Sequence, residues 1–170
     1  EVETVLKNRL KKVRPRDIKK LAREIIVLCE KYQFAPSLIL SLIHKESSFR
    51  TDALSKVGAI GLMQVLPSTA KYVSKKYGIK GYKGPQDLNN PIINVRLGIA
   101  YLSYLREKFS HPNQYIAAYN LGPSRLKKKF NEGDFHVENM RSYVYGIRDG
   151  MLIMRLEGSV PRNTLAVTRY

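Results

Sequence analysis

Apolar positions recur along most of this chain at steps of three and four, the spacing of one face of an α-helix. From Pro15 onward, Ile18, Leu21, Ile25, Leu28 and Tyr32 form such a stripe, with Cys29 beside it as a small core residue. Pro36 suits the first turn of a second helix running to about Ser48, because that turn leaves its N–H groups unpaired anyway. A third helix is predicted from Ser68 to Tyr77, stopped by Gly78. Asn90 followed by Pro91 sets an N-cap before a first-turn proline and opens a fourth, which carries Val95, Ile99, Leu102 and Leu105 to about Phe109. A fifth runs from about Asn113 to Asn120 and is ended by Leu121-Gly122-Pro123. A short basic helix follows from Ser124 to Phe130, and the last long one covers about Val137 to Leu156.

The interruptions are as informative as the stripes. Residues 49 to 66 carry Gly58 and Gly61 among mixed residues without a helical face, which predicts a structured loop or short irregular, β-like strands. That segment is too apolar for disorder. Gly78, Gly81 and Gly84 mark a turn-rich connection; no Gly-Lys-Ser/Thr ending follows, so a surface turn is expected in place of a phosphate loop. Residues 1 to 14 are basic and weakly patterned, which reads as a mobile arm or a surface helix ahead of the domain. The expected organisation is therefore a mainly α chain without internal repeats: the arm or helix over 1–14, one domain over 15–158, and a tail over 159–170.

Size and charge narrow the classes. A chain of 170 residues buries one sizeable core. Against 14 Asp and Glu stand 30 Lys and Arg, a net charge of +16, so an anionic partner is expected: nucleic acid, anionic lipid or bacterial wall polymer. The basic runs Lys7 to Lys20 and Arg125 to Lys129 are by default solvated faces. Cys29 is the sole cysteine, which excludes an intrachain disulfide and thiol metal sites. No apolar stretch approaches a membrane span, and no basic, apolar leader precedes Glu1; a leader has been removed or none is made.

One residue breaks the binary pattern with chemical consequence. Ile39, Leu42 and Ile43 precede Glu46 by seven, four and three positions, so the carboxylate shares their apolar face. Desolvation there raises its pKa, and the negative end of the helix dipole pushes the same way. Such a group holds a proton and can donate it. Metal chemistry finds no support: His44, His111 and His136 are scattered, and neither a zinc spacing nor a calcium loop is present. His44, two positions before Glu46, points to a different face. Ser47 and Ser48 lie outside any nucleophile elbow and read as polar residues at a helix end. No cofactor is expected.

The blocks around this acid then point to a family. Glu46-Ser47-Ser48-Phe49, Ala53, Ser55, Gly58-Ala59-Ile60-Gly61-Leu62-Met63-Gln64, Pro67, Ala117-Ala118-Tyr119-Asn120-Leu121-Gly122 and Tyr143-Val144 follow one another over residues 36 to 147. In order and spacing they closely resemble the soluble lytic transglycosylase domain of the goose-type lysozyme superfamily. The resemblance implies a mostly helical, lysozyme-like fold with a groove for the glycan strands of peptidoglycan. It implies cleavage of the N-acetylmuramic acid to N-acetylglucosamine bond without water, leaving 1,6-anhydro ends. Glu46 would act as general acid and then general base, with the substrate's N-acetyl group in place of a second enzymic carboxylate. Asp52, the nearest other acid in sequence, reads as a solvated turn residue.

By the same resemblance Ser55 bonds near the catalytic carboxylate, Gln64 reaches the sugars, Met63 lines the groove, and Tyr119 and Asn120 face the site. Tyr119 is expected to orient Glu46, and Tyr143 is carried over as a further substrate-binding position. The bland alternatives are a turn-former for Ser55, core filling for Met63 and a core aromatic for Tyr119. Two positions depart from the family. Asn139 stands where a glutamate is common, with Glu138 one step earlier, and Leu66 replaces a methionine. The implied partners are peptidoglycan strands and other cell-envelope proteins, at a bacterial envelope location, periplasmic or outer-membrane associated. A hydrolytic muramidase and a non-catalytic peptidoglycan-binding module are the nearest alternatives. A nucleic-acid binder fits the charge but has no recognition module here.

Overall fold

The computed structural model describes residues 1–11, 13–134 and 140–159 of the chain. Its helices are α1 (Val2–Arg9), α2 (Pro15–Tyr32), α3 (Pro36–Ser47), α4 (Pro67–Tyr77), a 3-10 helix (Pro85–Asn89), α5 (Pro91–Lys108), α6 (Pro112–Leu121), α7 (Pro123–Asn131) and α8 (Arg141–Ser159). Proline opens every one from α2 to α7, where its fixed φ is already helical and its missing N–H costs nothing. At α5 the Asn90 side chain also accepts from the Ile92 and Ile93 N–H groups, as its N-cap position requires. Gly78 closes α4 in the left-handed conformation.

The periodic residues read from the sequence are the residues that pack. Ile18, Leu21, Ile25, Leu28 and Tyr32 are buried along α2, and Val95, Ile99, Leu102 and Leu105 along α5. Both join one hydrophobic cluster with α3, α4, α6 and α8. α3 lies at its centre against α8, and α5 spans the other side against α2, α4 and α6. Among the described residues there is no extended strand; isolated antiparallel bridges join Leu54 to Ile60 and Ile60 to Val65. The expected loop with β-like character after α3 is therefore what forms. Among the same residues no single helix is long and apolar enough to cross a membrane.

Two segments gain detail. Of the arm or surface helix expected over 1–14, the helix forms, and it is packed rather than superficial: α1 buries Val2, Val5 and Leu6, with Leu10 following, against α2 and α8. The Arg9 guanidinium fastens it by donating to the Glu157 carboxylate at 2.7 Å. Its apolar residues are few, so the stripe is visible only once neighbours cover it. Within the glycine-rich connection, a 3-10 helix forms because the Asp87 carboxylate accepts from the N–H groups of Lys83 and Gly84. The expected start of the last helix near Val137 falls outside the described residues.

Candidate active site

α3 carries Glu46 in its last turn, above Ile39, Leu42 and Ile43, which are wholly buried. The carboxylate itself is half-buried, while His44 and Lys45 face solvent. Immediately beyond, the chain turns left-handed at both Ser48 (φ 51) and Phe49 (φ 62), conformations that bulky L-residues avoid. Burial of the Phe49 ring in the core offsets that strain.

The α3–α8 crossing determines what meets Glu46. Ser41 donates its hydroxyl to the Ile147 carbonyl at 2.7 Å, and a Cβ at Gly150 would collide with the same serine, so glycine lets the helices close. Lys45 adds a bond from its ammonium to the Ser142 carbonyl at 2.9 Å. This contact brings the Tyr143 hydroxyl onto Glu46 Oε1, to which it donates a short hydrogen bond. Burial pushes the Glu46 pKa up, against the opposing pull of the Tyr143 bond and the Lys45 charge. Tyr143 is itself held well above the usual tyrosine range by burial and by the Glu46 charge, so it remains a donor.

After α3, the 50–66 loop is fixed by backbone geometry. Ser55 closes its own turn: its N–H donates to the Ala59 carbonyl and its Oγ accepts from the Ala59 N–H, both at 2.9 Å. Gln64 sits at φ 47 and spends its amide hydrogens on the Ala53 and Gly61 carbonyls, each at 3.0 Å. Asn94, fully buried on α5, anchors the loop by donating to the Ile60 and Leu88 carbonyls (2.8 and 2.9 Å) and accepting from the Met63 N–H (2.8 Å). Gly61 (φ +78) has no room for a side chain, since a Cβ would lie 2.7 Å from the Leu88 carbonyl and against the Asn94 amide.

The residues expected from sequence are thus distributed unequally. Glu46 and Tyr143 are in direct contact. The Tyr119 hydroxyl donates to the Met63 carbonyl at 2.8 Å, so Tyr119 braces the loop and Tyr143, not Tyr119, orients Glu46. Tyr119 still lies near enough for the Glu46 charge to raise its pKa, after the larger effect of burial. Met63 does not line the groove: its side chain has no exposed surface and packs against Gly98. Gln64 and exposed Asn120 meet with Leu66, Thr69 and Tyr101 around a cleft of about 130 Å³. Ser55 has its oxygen engaged locally, and Asp52 is exposed. Among the described residues Lys45, rather than any carboxylate, is the charged group acting on Glu46. Glu138 and Asn139 lie outside the described residues.

Sequence reasoning passed over Asn94, Tyr101 and Lys45. Asn94 carries the signal that exposed Glu46, a polar side chain on a buried face, with Leu97 and Gly98 one turn on. Lys45 offers no such cue, because its partner carbonyl is 97 residues away.

A helical, lysozyme-like domain holding one desolvated glutamate is the class that this fold and site define. The model of the transglycosylase SLT domain matches residues 24–139, and the chain belongs to that family. Similar relatives include the soluble lytic murein transglycosylase of Salmonella typhimurium, 37% identical over 92 residues. That match covers 54% of this chain and 14% of the relative. The membrane-bound lytic murein transglycosylase C of Histophilus somni is 37% identical over 120 residues, covering 65% of this chain and 33% of its own length. Among solved structures, an inactive Glu-to-Gln mutant of the lytic transglycosylase Slt from Pseudomonas aeruginosa superposes with a TM-score of 0.71 at 31% identity. It covers 82% of this chain, which spans 24% of that one. The chain thus corresponds to a minor part of the length of each of these proteins.

Proposed function

We propose that this domain is a peptidoglycan lytic transglycosylase in which Glu46 serves as acid and then as base. The observation that carries the reading is the half-buried Glu46 carboxyl with a raised pKa, held by the Tyr143 hydroxyl. In the first step Glu46 passes its proton to the glycosidic oxygen, the C1–O bond of the muramoyl residue breaks, and the N-acetylglucosaminyl hydroxyl leaves. The substrate's own N-acetyl group stabilises the positive C1. Glu46, now a carboxylate, takes the proton of the C6 hydroxyl while that oxygen bonds to C1 and closes the 1,6-anhydro ring. No water is consumed, and Glu46 ends protonated as it began.

A hydrolase would ordinarily place a second carboxylate across the bond. Among the described residues the groups that act on Glu46 are Tyr143 and Lys45, and Asp52 is exposed, which supports the intramolecular route. Tyr143 keeps the carboxyl fixed in both protonation states, accepting or donating as required. The names of the relatives and the inactive Glu-to-Gln mutant of one of them support the same reaction. Gln64, Tyr119 and Asn120 line a cleft in which Tyr119 feels the Glu46 charge, and we assign that cleft to the sugars, with Ser55 shaping the loop that carries Gln64. The +16 charge draws the domain toward the anionic envelope, periplasmic or outer-membrane associated, where its substrate lies.

Mass analysis of products from purified peptidoglycan tests the reading. Muropeptides lacking one water are expected from the wild type and none from Glu46→Gln. Reducing ends alone would make the protein a muramidase, and wall binding without any product would make it a binding module.

A further inference from the structure

Beyond Tyr119 a row of aromatic rings leads away from Glu46. The Tyr101 ring lies 5.3 Å from that of Tyr119, Tyr104 stacks on Tyr101 at 6.1 Å and 21°, and Tyr72 meets Tyr104 edge-on at 5.3 Å. Tyr101 and Tyr104 are one turn apart on α5 and so share a face. At the far end a second cleft of about 310 Å³ opens between α5 and α7, lined by Tyr104, Lys108, Phe109, Pro123, Ser124 and Lys127. It adjoins the Gln64 and Asn120 cleft where Gly122 passes into Pro123 and Tyr101 stacks on Tyr104. Its volume is at the lower bound for a small-molecule site, ~300 Å³.

The charges in this second cleft are unbalanced. Lys76 and Lys108 each set an ammonium 5.0 Å from the centre of the Tyr104 ring, whose π-face attracts cations. Lys76 also has a carboxylate partner, Glu107, at 3.0 Å. Among the described residues neither Lys108 nor Lys127 has one within salt-bridge distance. Tyr104 thus holds the Lys108 ammonium at a cleft whose lining also includes Phe109 and Pro123, with Lys127 contributed by α7. Two cations beside an apolar lining complement a small ligand that joins a carboxylate to short apolar groups. A neutral sugar would leave both charges unanswered.

We propose that this second cleft binds the carboxylate-bearing peptide of the glycan strand whose sugar lies at Glu46. Lys108 and Lys127 pair with the carboxylate, and Tyr104 is a positioning residue for Lys108. The proposal rests on the transglycosylase reading for its ligand and extends it from bond cleavage to substrate selection.

The test compares kcat/KM on strands that carry peptides with kcat/KM on strands stripped of them. The ratio should fall about tenfold in Lys108→Ala/Lys127→Ala, the loss of one or two charge-assisted hydrogen bonds. A Lys19→Ala/Lys80→Ala control removes the same net charge elsewhere and should retain the wild-type ratio. An unchanged ratio, or an equal fall in the control, would overturn the subsite. A second arm needs no change to the cleft: calorimetric titration of Glu46→Gln protein with a peptide-bearing disaccharide and with the same compound amidated at its peptide carboxyls. Roughly tenfold weaker binding of the amidated compound is expected, and equal binding would sink the proposal. Because this arm reads binding alone, it stands apart from the product analysis. Failure of the transglycosylase reading appears as missing anhydro products, whereas failure of the subsite appears as indifference to the carboxylate.

Discussion

At the residue scale, Glu46 is poised between an environment that neutralises it and one tyrosine that tolerates its charge. Its folded pKa lies above the usual 4.5, so the native state keeps a proton that the unfolded chain releases. Stability from this group is therefore complete below the unfolded value and is lost as pH rises through the folded one. Glu46→Gln removes that loss. Thermal melts should find the variant more stable than wild type at neutral pH, by about 1 kcal/mol, with the difference vanishing toward pH 4. The same substitution should lower product release at least ~10²-fold, the usual contribution of a general acid. Tyr143→Phe removes a bond that favours the ionised carboxylate, so the Glu46 pKa should rise further. The alkaline limb of the kcat/KM profile then moves to higher pH and the maximum falls about tenfold. A limb that stayed in place would show that Tyr143 does not act through Glu46.

At the scale of elements, the 50–66 loop is a rigid object because α5 supports it from below. Asn94 serves three backbone groups at once, and Met63 fills the space left by Gly98. Asn94→Ala leaves an N–H and two carbonyls buried without that partner, at ~1–3 kcal/mol for each that water does not reach. A total near 3 kcal/mol in urea unfolding is expected, with earlier proteolysis around Lys56 and Val57, which are exposed. Gly98→Ala should cost about 1–3 kcal/mol by forcing Met63 and the loop outward. Neither residue is among the groups that act on Glu46. Both changes should nevertheless reduce kcat, since the cleft wall at Gln64 and Tyr119 moves with the loop.

At the scale of the whole molecule, α1 is part of the core and not an accessory. Val5 and Leu6 are fully buried, and each such side chain contributes ~1.5–3 kcal/mol relative to exposure. Deleting residues 1–10 should therefore lower stability by at least about 3 kcal/mol and broaden the thermal transition. A transition unchanged in midpoint would mean that α1 packs without stabilising. The net charge of +16 acts over the full surface, so binding to peptidoglycan should weaken steeply as salt rises through the range where the Debye length falls to ~8 Å.

The sequence by itself determined α2 to α7, their starts and the suspect acid, because that information is local. Proline fixes φ where it stands, Asn90 caps the residues next to it, and the three-and-four spacing that puts Glu46 beside Ile39, Leu42 and Ile43 needs no partner to be read. The motif blocks named the family for the same reason. Tertiary structure alone decided which hydroxyl meets the acid, for Tyr143 lies 97 residues from Glu46 and is delivered by the close approach of Gly150 to Ser41. It likewise turned Tyr119 toward the Met63 carbonyl, buried Met63 itself, and converted a weakly patterned N-terminal segment into a core helix. Those outcomes depend on which surfaces close on one another. Burial is a property of the assembled fold, and the chain's spacing constrains it without specifying it.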